Sequence, residues 1–456
     1  MRRTSLVASA SWALLAVACG SEPDAPEPSG DDAGRADAGG TDARIPYVRA
    51  GVRCVRDGAA APPETFDAGP DTPAGGGAGD GGPDAGDAGS VARVHPSLPQ
   101  IATQGGGRLV SPTVIPITFG HDDFADEIED FVASFGCTAW WRAVARDYGV
   151  GDAVSGAPVR RPESFPALVD DAVIQKWLRQ NVASGVLPQP DDGTLYAVFV
   201  NAKTTVTLDG IESCSAFGGY HDSFDLDGRH AAYAVIPRCD QFGPLAGFDV
   251  VSGAASHEFI EAATDPYPRT APAFAQPDDA HVVWAAVTGG EVADMCAIAE
   301  TAFYTPKGYP FVVQRSWSNQ AASLGQDPCV PAASASYFNA GPVLRDTLSL
   351  TGPDDRTIST RGAKIPVKGS ATIDVALFGD AAAPAWTVTP QDLSSALGST
   401  GRLTFALDRS TGVAGDVLHL TIFRESRNKE GGVEAFVLVS SFGPTRNFFF
   451  GLVGDP

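Results

Sequence analysis

Apolar residues follow two different rhythms along this chain, and one long stretch has no rhythm at all. Between residues 93 and 335 strand and helix patterns are mixed. SPTVIPITFG (111–120), LYAVFV (195–200) and AAYAVIP (231–237) are continuous apolar runs, typical of strands covered on both faces. Phe124, Ile128, Phe131 and Phe135 recur at helical spacing, and Trp140 and Trp141 fall on a second helix. Ile174, Trp177, Leu178 and Val182 mark a third helix, which Gly185 closes, and a fourth is predicted over 249–265. From residue 336 the period changes to two. TIDVALF (372–378), LTFALD (403–408), VLHLTIF (417–423) and AFVLVSS (435–441) are separated by Gly, Pro, Asp and Ser turns. The pattern predicts an α+β domain over 93–335, then an all-β sandwich of the immunoglobulin-like kind over 336–456. The two together span about 360 residues, enough for two full cores.

The stretch without rhythm is 20–92, built from Asp, Ala, Gly, Pro and Glu, with DAG recurring in DDAGRADAGG and GPDAGDAGS. Such a segment buries too little apolar surface to offset its ordering entropy, so a disordered acidic stalk is expected. IPYVRAGVRCVRDG (45–58) is a less polar island within it, and nothing in the sequence explains it. Ahead of the stalk, Arg2 and Arg3 precede a short apolar run from Leu6 to Ala18, which reads as an export signal. Ala16-Val17-Ala18-Cys19 resembles a bacterial lipoprotein cleavage box over 1–19, with Cys19 as the lipidated residue that anchors the chain to a bilayer. Ordinary secretory cleavage, with Cys19 lost, is the alternative. Either outcome makes the protein an exported one at or beyond the cell envelope.

The net charge of −23 comes from 55 acids against 32 bases, many of the acids in the stalk. It says little about the fold, but with no basic stripe it argues against a nucleic-acid partner. In an exported chain seven cysteines are expected to pair. Proximity suggests Cys214–Cys239 and Cys296–Cys329, leaving Cys137 and Cys54 without partners. No C-x-x-C occurs, which argues against a cysteine zinc site.

Chemistry concentrates in SHEFIEAATDP (256–266). Residues four apart share a helix face, so His257 and Glu261 can hold one metal ion together. Glu258, one step round, can reach a water on that ion as general base. This is the layout of the H-E-x-x-H zinc hydrolases with the second histidine replaced by glutamate, hence a zincin-like domain. A third ligand must come from downstream, and GGEVADMC (289–296) offers Glu291 and Asp294. In glutamate-type zincins a later Glu ligates and a nearby Asp orients a histidine ligand, which gives Glu291 as ligand and Asp294 behind it, or the two exchanged. Asp265 is an alternative ligand or a residue that caps or orients. Two carboxylates and one imidazole suit Zn²⁺ and also Mn²⁺, Fe²⁺ or Ca²⁺. The bland reading is a solvated helix, since H-E-x-x-E arises by chance in roughly a few per cent of such chains. Apolar flanks weigh against it, because unpaired charges are costly in that company.

SHEFIEAATDP, GGEVADMC and VQRSWSN (313–319) resemble secreted bacterial proteins with H-E-x-x-E-A-x-T-D-P helices. With IPITFG (115–120), VIQKWLRQNVASGVLPQPDDGTLYAVFV (173–200) and CSAFGGYHDSF (214–224), they resemble the Exordium / phosphate-induced protein family over residues 108–330. The resemblance implies an extracellular protein with a link to growth signalling in plants, and no agreed catalytic activity. Its GYH segment gives His221 a place over the metal as electrophile or further ligand, against the plainer role of a hydrogen-bonded loop histidine.

The expected function is metal-dependent hydrolysis of peptide bonds, with a peptide or cell-wall substrate. One rival is a non-catalytic extracellular binding or signalling protein with a structural metal. Another is a carbohydrate binder using Trp140, Trp141, Trp284 and Trp317. The absence of G-x-S-x-G argues against a nucleophile-elbow serine hydrolase.

Overall fold

The apolar runs of the first half assemble into a mixed sheet with helices on both sides. The structure, a computed structural model, describes residues 53–55, 95–333, 336–352, 356–428 and 432–456. The expected export signal, Cys19 and the expected stalk other than 53–55 therefore lie outside the described residues. In chain order the first elements are β1 (Thr113–Phe119), α1 (Ala125–Ser134), α2 (Ala139–Ala145), β2 (Val154–Ser155), β3 (Val159–Arg161) and α3 (Asp171–Ala183). β4 (Thr194–Phe199), β5 (Tyr220–Leu226) and β6 (Arg229–Ile236) follow and lead to the motif helix α4 (Phe248–Thr264).

The sheet order is β2-β1-β4-β6-β5, with β3 also beside β1. β1, β4 and β6 run parallel, and β5 returns antiparallel at the edge. The return is a tight hairpin in which Asp227 and Gly228 both take positive φ, as a type I′ turn requires. That turn leaves β5 along one edge with His221 on it.

Alternation decides what each face covers. Ile115, Ile117, Tyr196, Val198, Tyr233 and Val235 meet Ile174, Leu178 and Val182 of α3 on one side. Val114, Leu195, Ala197, Ala232 and Ala234 meet Phe131, Phe135 and Phe259 on the other. Asp170 caps α3 by accepting from the Ala172 amide, and Gly185 takes the left-handed conformation just past its end. α4 is buried over nearly its whole length and packs against β5, β6 and β7 (Val313–Gln314), so its polar side chains lie inside the protein. Downstream of α4 come α5 (Val282–Thr288) and α6 (Asp294–Ala297).

The second half holds β8 (Phe338–Pro342), β9 (Asp346–Thr351), β10 (Thr357–Lys364), β11 (Ser370–Gly379), β12 (Trp386–Asp392) and β13 (Arg402–Leu407). It continues with β14 (Thr411–Gly412), β15 (Val417–Ser426), β16 (Glu434–Phe442) and β17 (Thr445–Gly454). They form sheets β8-β11-β15-β13 and β9-β10-β17-β16-β12-β14. Phe338, Leu377 and Leu420 of the first sheet share a core with Trp386, Phe436 and Leu438 of the second. A fully buried Arg424–Glu434 pair (2.6 Å) lies between β15 and β16.

The halves are not loosely tethered. Trp284 of α5 makes edge contacts with Trp317, Phe449 and Phe450 at 5.5, 5.8 and 4.7 Å between ring centres. Phe449 and Phe450 on β17 thus belong to the same core as α4. Trp284→Ala is expected to cost about 3–5 kcal/mol in urea unfolding of the full chain. A loss under about 1 kcal/mol would mean that the junction carries little of the stability. Trp140, Trp141, Trp284 and Trp317 are all at most 3% exposed, so none is a platform for a sugar ring. Core packing holds all four, and the support they gave to a carbohydrate binder falls away.

Three disulfides are present among the described residues. Cys214–Cys239 and Cys296–Cys329 match the pairs suggested by proximity. The expectation that Cys54 and Cys137 stay unpaired is corrected: they bond to each other across 83 residues of sequence. Sequence proximity carries no information about a bridge of that span. Cys54 also lies inside the island that the sequence left unexplained. The bridge fastens residues 53–55 near the end of α1, and Cys54 is buried there.

Candidate metal centre

Helical spacing does what the motif requires. His257 Nε2 lies 3.1 Å from Glu261 Oε2 on α4. Glu261 is 2% exposed, and its other oxygen, Oε1, accepts from the backbone amides of Ala293 (3.1 Å) and Asp294 (2.9 Å) at the start of α6. Burial works to raise its pKa, but His257, His221 and the backbone donor outweigh burial and hold it below the usual carboxylate range.

The tautomer of His257 follows from a residue that carries no charge. Gln314 on β7 donates from Nε2 to the Ala293 carbonyl (2.8 Å), which can only accept. Its Oε1 therefore faces His257 Nδ1 at 2.9 Å, and Nδ1 must be the donor. In the neutral ring the lone pair is then on Nε2, the nitrogen that faces Glu261. Gln314 is itself fixed at both backbone ends, donating to Ser256 Oγ (2.9 Å) and accepting from Trp140 Nε1 (2.7 Å). This is the outer support that a ligating histidine needs. Gln314→Leu is expected to weaken Zn²⁺ binding about 10- to 100-fold in a competition titration. Unchanged affinity would mean that the ring is oriented by something else.

His221 comes in from the edge strand β5, not from a loop. It donates from Nε2 to the backbone carbonyl of Asp265 (3.1 Å), and its Nδ1 lies 3.4 Å from Glu258 Oε2 and 3.8 Å from Glu261 Oε2. Glu258 is 5% exposed and presses on Gly219, where a Cβ would come within 2.8 Å of Glu258 Oε1. A side chain at 219 would displace that carboxylate.

The downstream carboxylates sit around the two rings. Gly289 and Gly290 both take positive φ and end α5, which turns the chain so that Glu291 precedes α6 and Asp294 begins it. Asp294 Oδ1 is 3.5 Å from His257 Nε2, and Glu291 Oε1 is 3.8 Å from His221 Nε2. Asp294 thus faces Nε2 of His257, and Gln314 occupies the other nitrogen of the ring. Glu291 joins His221 and Glu261, all three with ligand atoms within 4.8 Å of one another. His257, Glu258 and Glu261 form a second such group. Asp265, the residue that ends α4, accepts from the Ala273 amide through Oδ1 (2.8 Å), and its backbone carbonyl faces His221 Nε2.

The cluster is electrostatically crowded. Burial lifts the pKa of Glu291 well above the carboxylate range, aided by Glu261 and Asp294. Burial and Glu261 do the same to Asp294. Burial disfavours a charged His221, yet Glu291, Glu258 and Glu261 prevail and push its pKa up to about 10. His257 is likewise raised, by Glu261, Glu258 and Asp294 against burial. Donors of this kind, imidazole nitrogen and carboxylate oxygen converging in a buried place, fit a divalent cation.

A scan against known protein families finds no match for this chain, and a search of curated proteins finds no relative.

Proposed function

We propose that the protein is an exported, metal-dependent hydrolase of peptide bonds, with a zincin-like domain backed by an immunoglobulin-like sandwich. The observation that carries the reading is the lone pair of His257 Nε2, set by Gln314 and aimed at Glu261 and Asp294, with Glu258 alongside. A divalent cation, Zn²⁺ first, with Mn²⁺, Fe²⁺ or Ca²⁺ as alternatives, would supply Lewis acidity to the hydrolysis. His257, Glu261 and Asp294 would hold it, and Glu291 and His221 complete the surroundings. Glu258 takes the proton, since its carboxylate lies within 4.8 Å of the ligand atoms of His257 and Glu261. The mixed sheet, with its antiparallel edge strand beside the motif helix, supports the zincin-like reading of the fold. The resemblance to the Exordium family supports an extracellular setting, and three disulfides fit an oxidising compartment. A lipid anchor at Cys19 and a peptide or cell-wall substrate belong to the same proposal.

The rival is an extracellular binding or signalling protein in which the metal only holds the fold. The deep burial of Glu258 is the observation in its favour, because a general base must be reached by substrate. The full chain, loaded with Zn²⁺, is to be offered casein and a broad peptide library. Cleavage that stops on chelation supports the hydrolase, and a fully loaded protein that cleaves nothing hands the site to the rival.

A further inference from the structure

We infer that the cavity between the two halves of the protein is a binding site for a carboxylate carrying an apolar tail. The cavity measures about 380 Å³, a size usual for small-ligand pockets. No residue of the metal centre lines it, so the inference stands apart from the metal reading. Pro96 and Val283 wall it from the first half, and Val343, Leu344 and Phe450 from the second. Phe450 is held by its edge contact with Trp284 (4.7 Å), so the wall belongs to the packed junction.

Charge gives the cavity its polarity. The titratable side chains that line it are His281, Arg345 and Arg361, with no acid among them, in a chain of net charge −23. The acids nearby are engaged. Asp278 accepts from the Gln100 amide (2.8 Å) and meets His281 Nδ1 (2.8 Å). Asp279 pairs with Arg356 (3.3 Å), and Asp346 accepts from the Lys364 amide (2.8 Å). Asp374 reaches Arg345 at 3.2 Å. Arg361 makes no ion pair among the described residues, and one of its N–H groups meets the Arg345 carbonyl at 3.5 Å. The two arginines are neighbours because Arg361 on β10 pairs in register with Thr347 on β9, just past Arg345. Both are exposed, which puts two guanidinium groups at the mouth and only one carboxylate, Asp374, against them.

The class of ligand follows from this split. A planar guanidinium takes a carboxylate through two parallel hydrogen bonds. The remaining lining side chains are apolar, except for the Ser97 hydroxyl and His281, whose Nε2 already faces the Ser97 carbonyl (2.9 Å). A compact polyanion would set further charge against that apolar wall, which is costly. A single carboxylate keeps its charge at the wet mouth and buries hydrocarbon behind it. A peptide C-terminus with an aromatic last residue and a medium-chain fatty acid share this chemistry.

The test is calorimetric titration of the full chain with octanoate and with acetyl-Ala-Phe, each beside its neutral amide. At least one of the two acids is expected to bind at one site per chain, about tenfold tighter than its amide. Binding of octanoate alone marks a fatty-acid site, and binding of acetyl-Ala-Phe alone a peptide-end site. Arg361→Gln should bring the acid down to the affinity of the amide, and Arg345→Gln should cost less, because Asp374 already opposes that charge. Val343→Trp keeps both guanidinium groups but fills the cavity, and it should remove binding of acid and amide alike. Circular dichroism and thermal unfolding confirm that the variants are folded. Chelated protein should bind as metal-loaded protein does, which keeps this outcome separate from that of the metal centre. Acid and amide bound equally, Arg361→Gln binding like wild type, or no binding of either acid would each overturn the site. Inorganic phosphate bound as tightly as the acids would overturn the ligand class.

Discussion

Chelation of the full chain is expected to lower its melting temperature by about 8 °C, and His257→Ala is expected to abolish the response. A ligand that binds only the folded state at about a thousand times its dissociation constant adds roughly 4 kcal/mol. For a domain of this size each kcal/mol is worth about 2 °C. The structure gives the reason for the coupling. Glu261, Glu291 and Asp294 are brought together from α4, from the turn after α5 and from α6, and burial with mutual repulsion lifts the last two well out of the carboxylate range. A cation removes that repulsion only in the folded chain, where the three segments meet. The three disulfides stay intact under chelation, so the loss reports the site and not the covalent frame. Calorimetry with and without chelator, on wild type and His257→Ala, measures it. Identical melts for wild type with and without chelator, and no stoichiometric metal, would remove the metalloprotein reading.

What the sequence revealed depended on how local each signal was. β1, β4 and β6 were legible because strands covered on both faces read as unbroken apolar runs. The His257–Glu261 pair was legible because four residues make one helical turn. Gln314 was not, although VQRSWSN was part of the resemblance. It is 57 residues from His257, it does not titrate, and its role is visible only once Ala293 fixes its amide. The Cys54–Cys137 bridge failed for the same reason, since its two ends lie in segments with no shared pattern. Asp294 was found as a nearby carboxylate with its role left exchangeable with that of Glu291, because spacing alone does not say which side of a ring a residue approaches. The sandwich read as a separate module for a related reason. Its strands alternate cleanly, and nothing in that alternation marks Phe449 and Phe450 as partners of Trp284.

Glu258→Gln is expected to keep its metal and its melting temperature while losing at least about a hundredfold in hydrolysis, the usual scale for a general base. The substitution is close to isosteric, and Gly219 leaves the same space for an amide as for a carboxylate. What it removes is the ability to take a proton. Glu261→Gln makes the opposite comparison. Glu261 Oε1 accepts from the Ala293 and Asp294 amides and Oε2 faces His257, so an amide there puts its NH₂ against either donors or the metal-side nitrogen. It should lose metal, and activity with it. The two variants thus separate proton transfer from metal binding, one residue apart in role and three apart in sequence. Both are to be assayed on casein alongside metal content and thermal unfolding. Glu258→Gln cleaving as fast as wild type would leave an activity without its assigned base. Glu258→Gln losing metal in parallel with Glu261→Gln would make Glu258 a ligand, and the proton would have to go to another group around His221.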